Sequence, residues 1–103
     1  MAMQVKMDMS EGKAKIALNG RFDFSSHREF RNVSEDVLAA KDVKEIELDL
    51  KSVDYLDSSA LGMLLLLREK ANNANLTLSL TNCHGLVRQV LDVANFGRLF
   101  TIR

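Results

Sequence analysis

Glu45-Ile46-Glu47-Leu48-Asp49-Leu50 alternates acid and aliphatic residue without a break. Successive strand side chains point to opposite faces, so this stretch reads as a strand with one wet face and one buried face. Three other segments carry the same period of two. Val5, Met7 and Met9 alternate with Gln4, Lys6 and Asp8; Ala14, Ile16 and Leu18 with Lys13, Lys15 and Asn19; Leu76, Leu78 and Leu80 with Thr77, Ser79 and Thr81. A fifth apolar stretch, 99–102, closes the chain. A sheet covered on both faces needs near-continuous apolar strands. These strands predict a sheet covered mainly on one.

The intervening segments have helical spacing. Residues 26–40 place Phe30, Val33 and Val37 on one stripe, and Ser26 with Glu29 has the spacing of a capping box. Residues 58–73 place Leu61, Leu64, Leu65 and Arg68 together. Residues 85–94 align Leu86, Val90 and Ala94, with Asn95 and Gly97 as stop signals. The order is β-β-α-β-α-β-α-β. Ser10-Glu11-Gly12 leaves room only for a hairpin, so the first two strands are antiparallel. Helical links make the later strands parallel, with crossovers expected to be right-handed. The expected fold is α/β: a mixed five-stranded sheet with helices mainly on one face.

Composition narrows the function. With 103 residues the chain suits one domain, 1–103. It is 47% hydrophobic and 27% charged, which fits a globular protein rather than a disordered one. Lys plus Arg and Asp plus Glu number 14 each, so net charge makes no case for nucleic acid or an anionic membrane. The longest apolar run, 61–67, is far short of the roughly 20 residues of a membrane span. The amino terminus carries Lys6 and Asp8 and no continuous apolar core of a signal peptide, and the single Cys83 can form no internal disulfide. A cytoplasmic protein is expected.

Familiar reaction motifs do not occur. There is no GxxxxGK[ST] phosphate loop and no GxGxxG. His27 and His84 lack carboxylate or cysteine partners at zinc-ligand spacing. Cys83 next to His84 has no evident orienting third group and reads as an inert thiol.

One segment stands apart: Val53-Asp54-Tyr55-Leu56-Asp57-Ser58-Ser59-Ala60-Leu61-Gly62, running from a strand into the second helix. Asp57 or Ser58 can cap that helix, and capping alone accounts for the pair. The same place would also tolerate a phosphate, because a helix N-terminus offers free N–H groups and about half a positive charge. Phosphorylation of Ser58 would add about −1.5 to −2 charge beside Asp57 and alter the surface more than the fold. In 61–67 apolar residues go all round the helix, so Met63 and Leu66 or Leu67 should be partly exposed, as at a protein interface.

Asp57-Ser58-Ser59-Ala60-Leu61-Gly62 resembles the DSSGLG-like signature of STAS domains, with bacterial anti-sigma factor antagonists as the closest subgroup. Gly20-Arg21-Phe22-Asp23 is similar to the family's G-x-L-D turn. The resemblance implies that Ser58 is the phosphorylated serine, and that Asp57, Ser59 and Asp23 belong to the partner-facing surface. It implies a partner that is an anti-sigma factor and serine kinase of the histidine-kinase-like ATPase type. Phosphorylation releases the antagonist and a PP2C-type phosphatase restores it. The kinase supplies ATP and Mg²⁺; the antagonist needs no cofactor and is not an enzyme. Ala60 stands where glycine is common, and Phe22 where an aliphatic is. STAS domains also serve as scaffold subunits of lipid or anion transporters, which is the alternative reading. A third, Ser58 as an enzyme nucleophile, needs His27 or His84 within about 3 Å.

Overall fold

Glu11 and Gly12, both with positive φ (52° and 82°), turn the chain between β1 (Gln4–Ser10) and β2 (Lys13–Phe22) in the computed structural model, which describes residues 3–103. Two left-handed central residues match the twist of a hairpin, and glycine takes the second position without a Cβ penalty. A 3₁₀ turn, Phe24–Ser26, leads into α1 (His27–Ala39). β3 (Glu45–Leu56), α2 (Ser58–Asn73), β4 (Thr77–Thr81), α3 (Gly85–Val93) and β5 (Thr101–Ile102) follow. The sheet order is β1-β2-β3-β4-β5; the hairpin is antiparallel and the remaining pairs are parallel. The expected mixed five-stranded α/β architecture is present.

Each crossover moves one place along the sheet in the same direction, so right-handed connections put all three helices on one face. Burial agrees. Ala14, Ile16 and Leu18 of β2 and Ile46, Leu48 and Leu50 of β3 are buried together with Phe30, Val33 and Val37 of α1. Leu64 and Leu67 of α2 and Val87 and Leu91 of α3 complete that core. The opposite face is ionic. Lys13 Nζ lies 2.7 Å from Glu47 Oε1, and Thr81 Oγ1 donates to Glu47 Oε2 at 2.8 Å. Asn82 Nδ2 donates to Asp49 Oδ1 at 2.8 Å. Glu47 is only 8% exposed, yet its carboxylate is fully partnered, as a buried charge requires.

Several local expectations are corrected. Ser26 and Glu29 form no capping box; the box is Asp23 with Ser26, one turn earlier, because the 3₁₀ turn precedes α1. On α2 the buried set is Ala60, Leu64, Leu67 and Ala71, and Leu65 is 40% exposed. Four successive leucines cannot fix a helical phase by themselves. On α3, Leu86 is exposed and the core stripe is Val87 and Leu91, one residue on. β3 runs beyond the alternating 45–50 to Leu56, past a register shift at the polar pair Lys51-Ser52. β5 begins only at Thr101, because Phe100 turns in to stack on Phe96 with ring centroids 5.1 Å apart.

Candidate functional site

The extension of β3 brings two turns together. β2 and β3 finish level, with Phe22 opposite Leu56, and the next residues are Asp23 and Asp57. The Asp57 N–H donates to the Phe22 carbonyl at 3.3 Å. Each aspartate then caps a helical turn. The crevice beyond the carboxyl ends of parallel strands is where open α/β sheets commonly place their binding sites.

The Asp23 turn is tightly bonded. Asp23 Oδ1 accepts from the Ser25 N–H at 3.0 Å and from the Ser25 hydroxyl at 2.6 Å. The buried Ser26 hydroxyl accepts from the Asp23 N–H at 3.2 Å and donates to the Arg21 carbonyl at 2.9 Å. Gly20, at φ +105°, precedes a register shift, and Arg21 comes to lie opposite Tyr55. Its guanidinium carbon sits 4.0 Å from the Tyr55 ring centroid, a cation–π contact, and its Nε 3.5 Å from Asp23 Oδ2. The Ser25 hydroxyl, aided by the Ser25 N–H and Arg21, holds the Asp23 carboxyl below its ordinary value. Asp23 is therefore a fixed negative charge at neutral pH. Phe24, 74% exposed, projects from the same turn.

The Asp57 turn is simpler. Asp57 Oδ1 accepts from the Ala60 N–H at 2.9 Å, which makes Asp57 the cap of α2 and leaves Ser58 as its first residue. Ser58 and Ser59 are exposed. No hydrogen bond among the described residues engages the Ser58 hydroxyl. One turn further along α2, half-buried Met63 lines a cleft with His27, Phe30, Leu66 and Leu67. Its volume, about 40 Å³, is well below the few hundred Å³ of a small-molecule site. Leu66 is exposed and Leu67 buried, so Leu66 continues the apolar surface from Met63.

The expected site residues thus fall on two adjoining turns: Asp23 on one, Asp57, Ser58 and Ser59 on the other, with Met63 a helical turn away. Arg21, Phe24, Ser25 and Tyr55 also line these turns. The Asp23-x-x-Ser26 spacing was a legible cap signal; the Arg21–Tyr55 contact depends on a register shift that no local pattern shows. His84 and Cys83 lie apart from these turns. His84 Nε2 lies 2.7 Å from the Lys51 carbonyl. Burial pushes the half-buried Cys83 thiol up, away from the nucleophilic thiolate. Among the described residues no group of three or more His, Cys, Asp or Glu could hold a metal ion.

The family model described as Mlab, STAS domain, matches residues 5–101, almost the whole chain. The chain belongs to the STAS domain family. A STAS-domain containing protein of Pseudomonas aeruginosa (strain UCBPP-PA14) is 48% identical to this STAS domain over 87 residues, covering 84% of each chain. An anti-sigma F factor antagonist of Paenibacillus polymyxa is 22% identical over 102 residues, 99% of this chain and 87% of its own. Solved structures repeat the fold. An anti-sigma factor antagonist from Mycobacterium paratuberculosis superposes with a TM-score of 0.86 at 16% identity, over 97% of this chain and 84% of the other. The Bacillus cell fate determinant SpoIIAA in its phosphorylated form gives 0.74 at 18%, over 97% and 91%. A sulfate transporter family protein from Wolinella succinogenes gives 0.74 at 17%, over 88% and 73%. The STAS fold is thus shared by antagonists and by a transporter-family protein, and the site must carry the functional argument.

Proposed function

We propose that this STAS domain is a partner-switching antagonist. Unphosphorylated, it binds an anti-sigma factor or serine kinase of the histidine-kinase-like ATPase type; phosphorylation of Ser58 releases it, and a PP2C-type phosphatase restores it. The observation that carries this reading is the exposed Ser58 at the first position of α2, directly beside the Asp23 turn. The hydroxyl is exposed to a kinase, and its loss or modification breaks no bond among the described residues. Relatives named anti-sigma factor antagonists, and the phosphorylated form of SpoIIAA, support the same reading.

The physics of the switch is electrostatic. A phosphate on Ser58 adds about −1.5 to −2 charge. Free N–H groups and the helix dipole accept it within the domain. The Asp57 carboxylate, one residue away, and the fixed Asp23 carboxylate beside it make the rim strongly negative. Arg21 cannot neutralise that rim freely, being held between Asp23 and the Tyr55 ring. The partner surface, with Phe24, Ser59 and Met63 supplying contacts, becomes far more negative while the fold is kept. The domain is the kinase's substrate and carries out no reaction itself.

The test is affinity capture from native-host lysate with wild-type, Ser58→Ala and Ser58→Asp baits, identified by mass spectrometry. A serine kinase or its regulator retained by wild type and Ser58→Ala but lost with Ser58→Asp is the expected result. Unchanged affinity of enzymatically phosphorylated protein for that partner overturns the proposal. Recovery of the same transporter subunits by all three baits favours the scaffold role.

A further inference from the structure

β1 is an outer strand. Among the described residues it pairs with β2 alone, so its far edge presents alternate backbone N–H and C=O groups along seven residues. Two of the usual protections of such an edge, proline and a bulge, are missing among the described residues, and its charges, Lys6 and Asp8, are of opposite sign. The chain has no proline, and the β1–β2 register runs without a bulge from Gln4 opposite Asn19 to Ser10 opposite Lys13. α1 packs against β1 but leaves Met7 and Met9 36% and 45% exposed. The opposite outer strand, β5, has only two residues.

The sequence of β1 is self-complementary. An antiparallel two-fold pairing centred on Met7 places Lys6 opposite the second copy's Asp8, and Asp8 opposite the second copy's Lys6. Val5 meets the second copy's Met9, Met7 meets its own counterpart, and Gln4 meets Ser10, so all seven residues find partners. Centring on Lys6 or on Asp8 sets like charges against each other. Centring between residues sets the wet face against the apolar one. Met7 alone, as the centre, pairs all seven residues, keeps like faces together and sets Lys6 against Asp8.

The rows of the sheet continue across that axis. On the wet face Glu47, Lys15 and Asp8 lie in register and the second copy's Lys6 comes next, alternating in sign. On the apolar face Leu48, Ile16 and Met7 are followed by the second copy's Met7. We propose that two copies of this chain associate through β1, antiparallel about a two-fold axis at Met7, to form one continuous sheet. Such an interface is isologous and closed, which a parallel pairing could not be. α2 begins at the end of β3, two strands in from this edge, so the dimer presents two Ser58 sites at once.

Sedimentation velocity over a concentration series tests this without any partner protein, so its outcome is independent of the switch. Wild type is expected to dimerise. Lys6→Glu turns two attractive cross-strand pairs repulsive and should weaken the dimer about tenfold or more. Lys6 lies opposite Ala17 within its own hairpin, so the fold is spared. The swap Lys6→Glu with Asp8→Lys should restore association, with thermal unfolding showing that each variant is folded. In a Cys83→Ser background, Met7→Cys should oxidise to a linked dimer, since facing residues of an antiparallel pair have Cα atoms about 4.5–5.5 Å apart, within disulfide range. Met9→Cys, facing Val5, should not. A wild type that stays monomeric throughout, a dimer indifferent to Lys6→Glu, or equal cross-linking through Met9→Cys overturns the proposal.

Discussion

The Asp57 N–H reaches the Phe22 carbonyl at 3.3 Å, and through this bond the start of α2 is fixed against the turn that begins α1. Asp57 serves twice: its main chain ties β3 to β2 and its side chain caps the Ala60 N–H. Asp57→Ala keeps the first bond and loses the second. A cost of about 1 kcal/mol is expected in chemical denaturation, within the usual 0.5–2 kcal/mol of a lost cap. Asp57→Asn keeps an acceptor oxygen and should recover most of that stability. If it also keeps partner affinity, the residue acts as a cap; if affinity falls, its charge is read by the partner.

Two serines a few residues from the acidic caps should behave in opposite ways. Ser26 is buried, and its hydroxyl satisfies both the Asp23 N–H and the Arg21 carbonyl. Ser26→Ala strands both groups and should cost about 1–3 kcal/mol. Ser58 is exposed at the start of α2, and Ser58→Ala should stay within about 0.5 kcal/mol of wild type. Urea midpoints of the two variants make the comparison. Equal losses would show that the Ser58 hydroxyl is structural, against a switch role.

The phase of α2 can be checked with neighbouring leucines. Leu64 is fully buried while Leu65 is 40% exposed. Leu64→Ala should cost about 2–5 kcal/mol, as large-to-small core changes do. Leu65→Ala should cost far less, and a loss of partner binding without a loss of stability would place Leu65 in the interface.

That phase marks where the sequence stops being legible. The strands announced themselves because Glu45–Leu50 alternates strictly, and a one-sided sheet follows from the alternation. Leucines at 64, 65, 66 and 67 carry no such contrast, and Leu86-Val87 offers two stripes one residue apart. Packing against the sheet chose Leu64, Leu67, Val87 and Leu91. Asp57 and Ser58 were visible as a helix start, since capping is a local event. The neighbourhood of Asp23 with Asp57 was available only through the family resemblance, because it depends on β3 continuing beyond Lys51-Ser52 to run level with β2. Ser26 was seen as a helix cap, but its bond to the Arg21 carbonyl requires the 3₁₀ turn that spacing alone missed.

Acid should unfold the protein through the wet face of the sheet. The Lys13 ammonium, with Thr81, holds the Glu47 carboxyl below its ordinary value of 4.5. Burial pushes Asp49 up from 3.8, but hydrogen bonds from Asn82 and the Lys51 N–H outweigh it and the net direction is down. A depressed native pKa means that the unfolded chain binds more protons between the two values, so stability rises with pH there. The contribution is complete above the ordinary carboxyl range and is lost as pH falls through the native values. Lys13, raised above 10.5 chiefly by its bond to Glu47, gives the mirror image: its contribution is complete below 10.5 and lost as pH rises through the native value. Denaturant midpoints measured across pH should therefore fall at both extremes. Glu47→Gln should lower the plateau and flatten both limbs, because one bond links the two titrations. Flattening of the acid limb alone would mean that Lys13 finds Glu45, 3.8 Å away, as a sufficient second partner. An acid limb as steep as wild type would assign acid sensitivity to Asp49 and Asp23 instead.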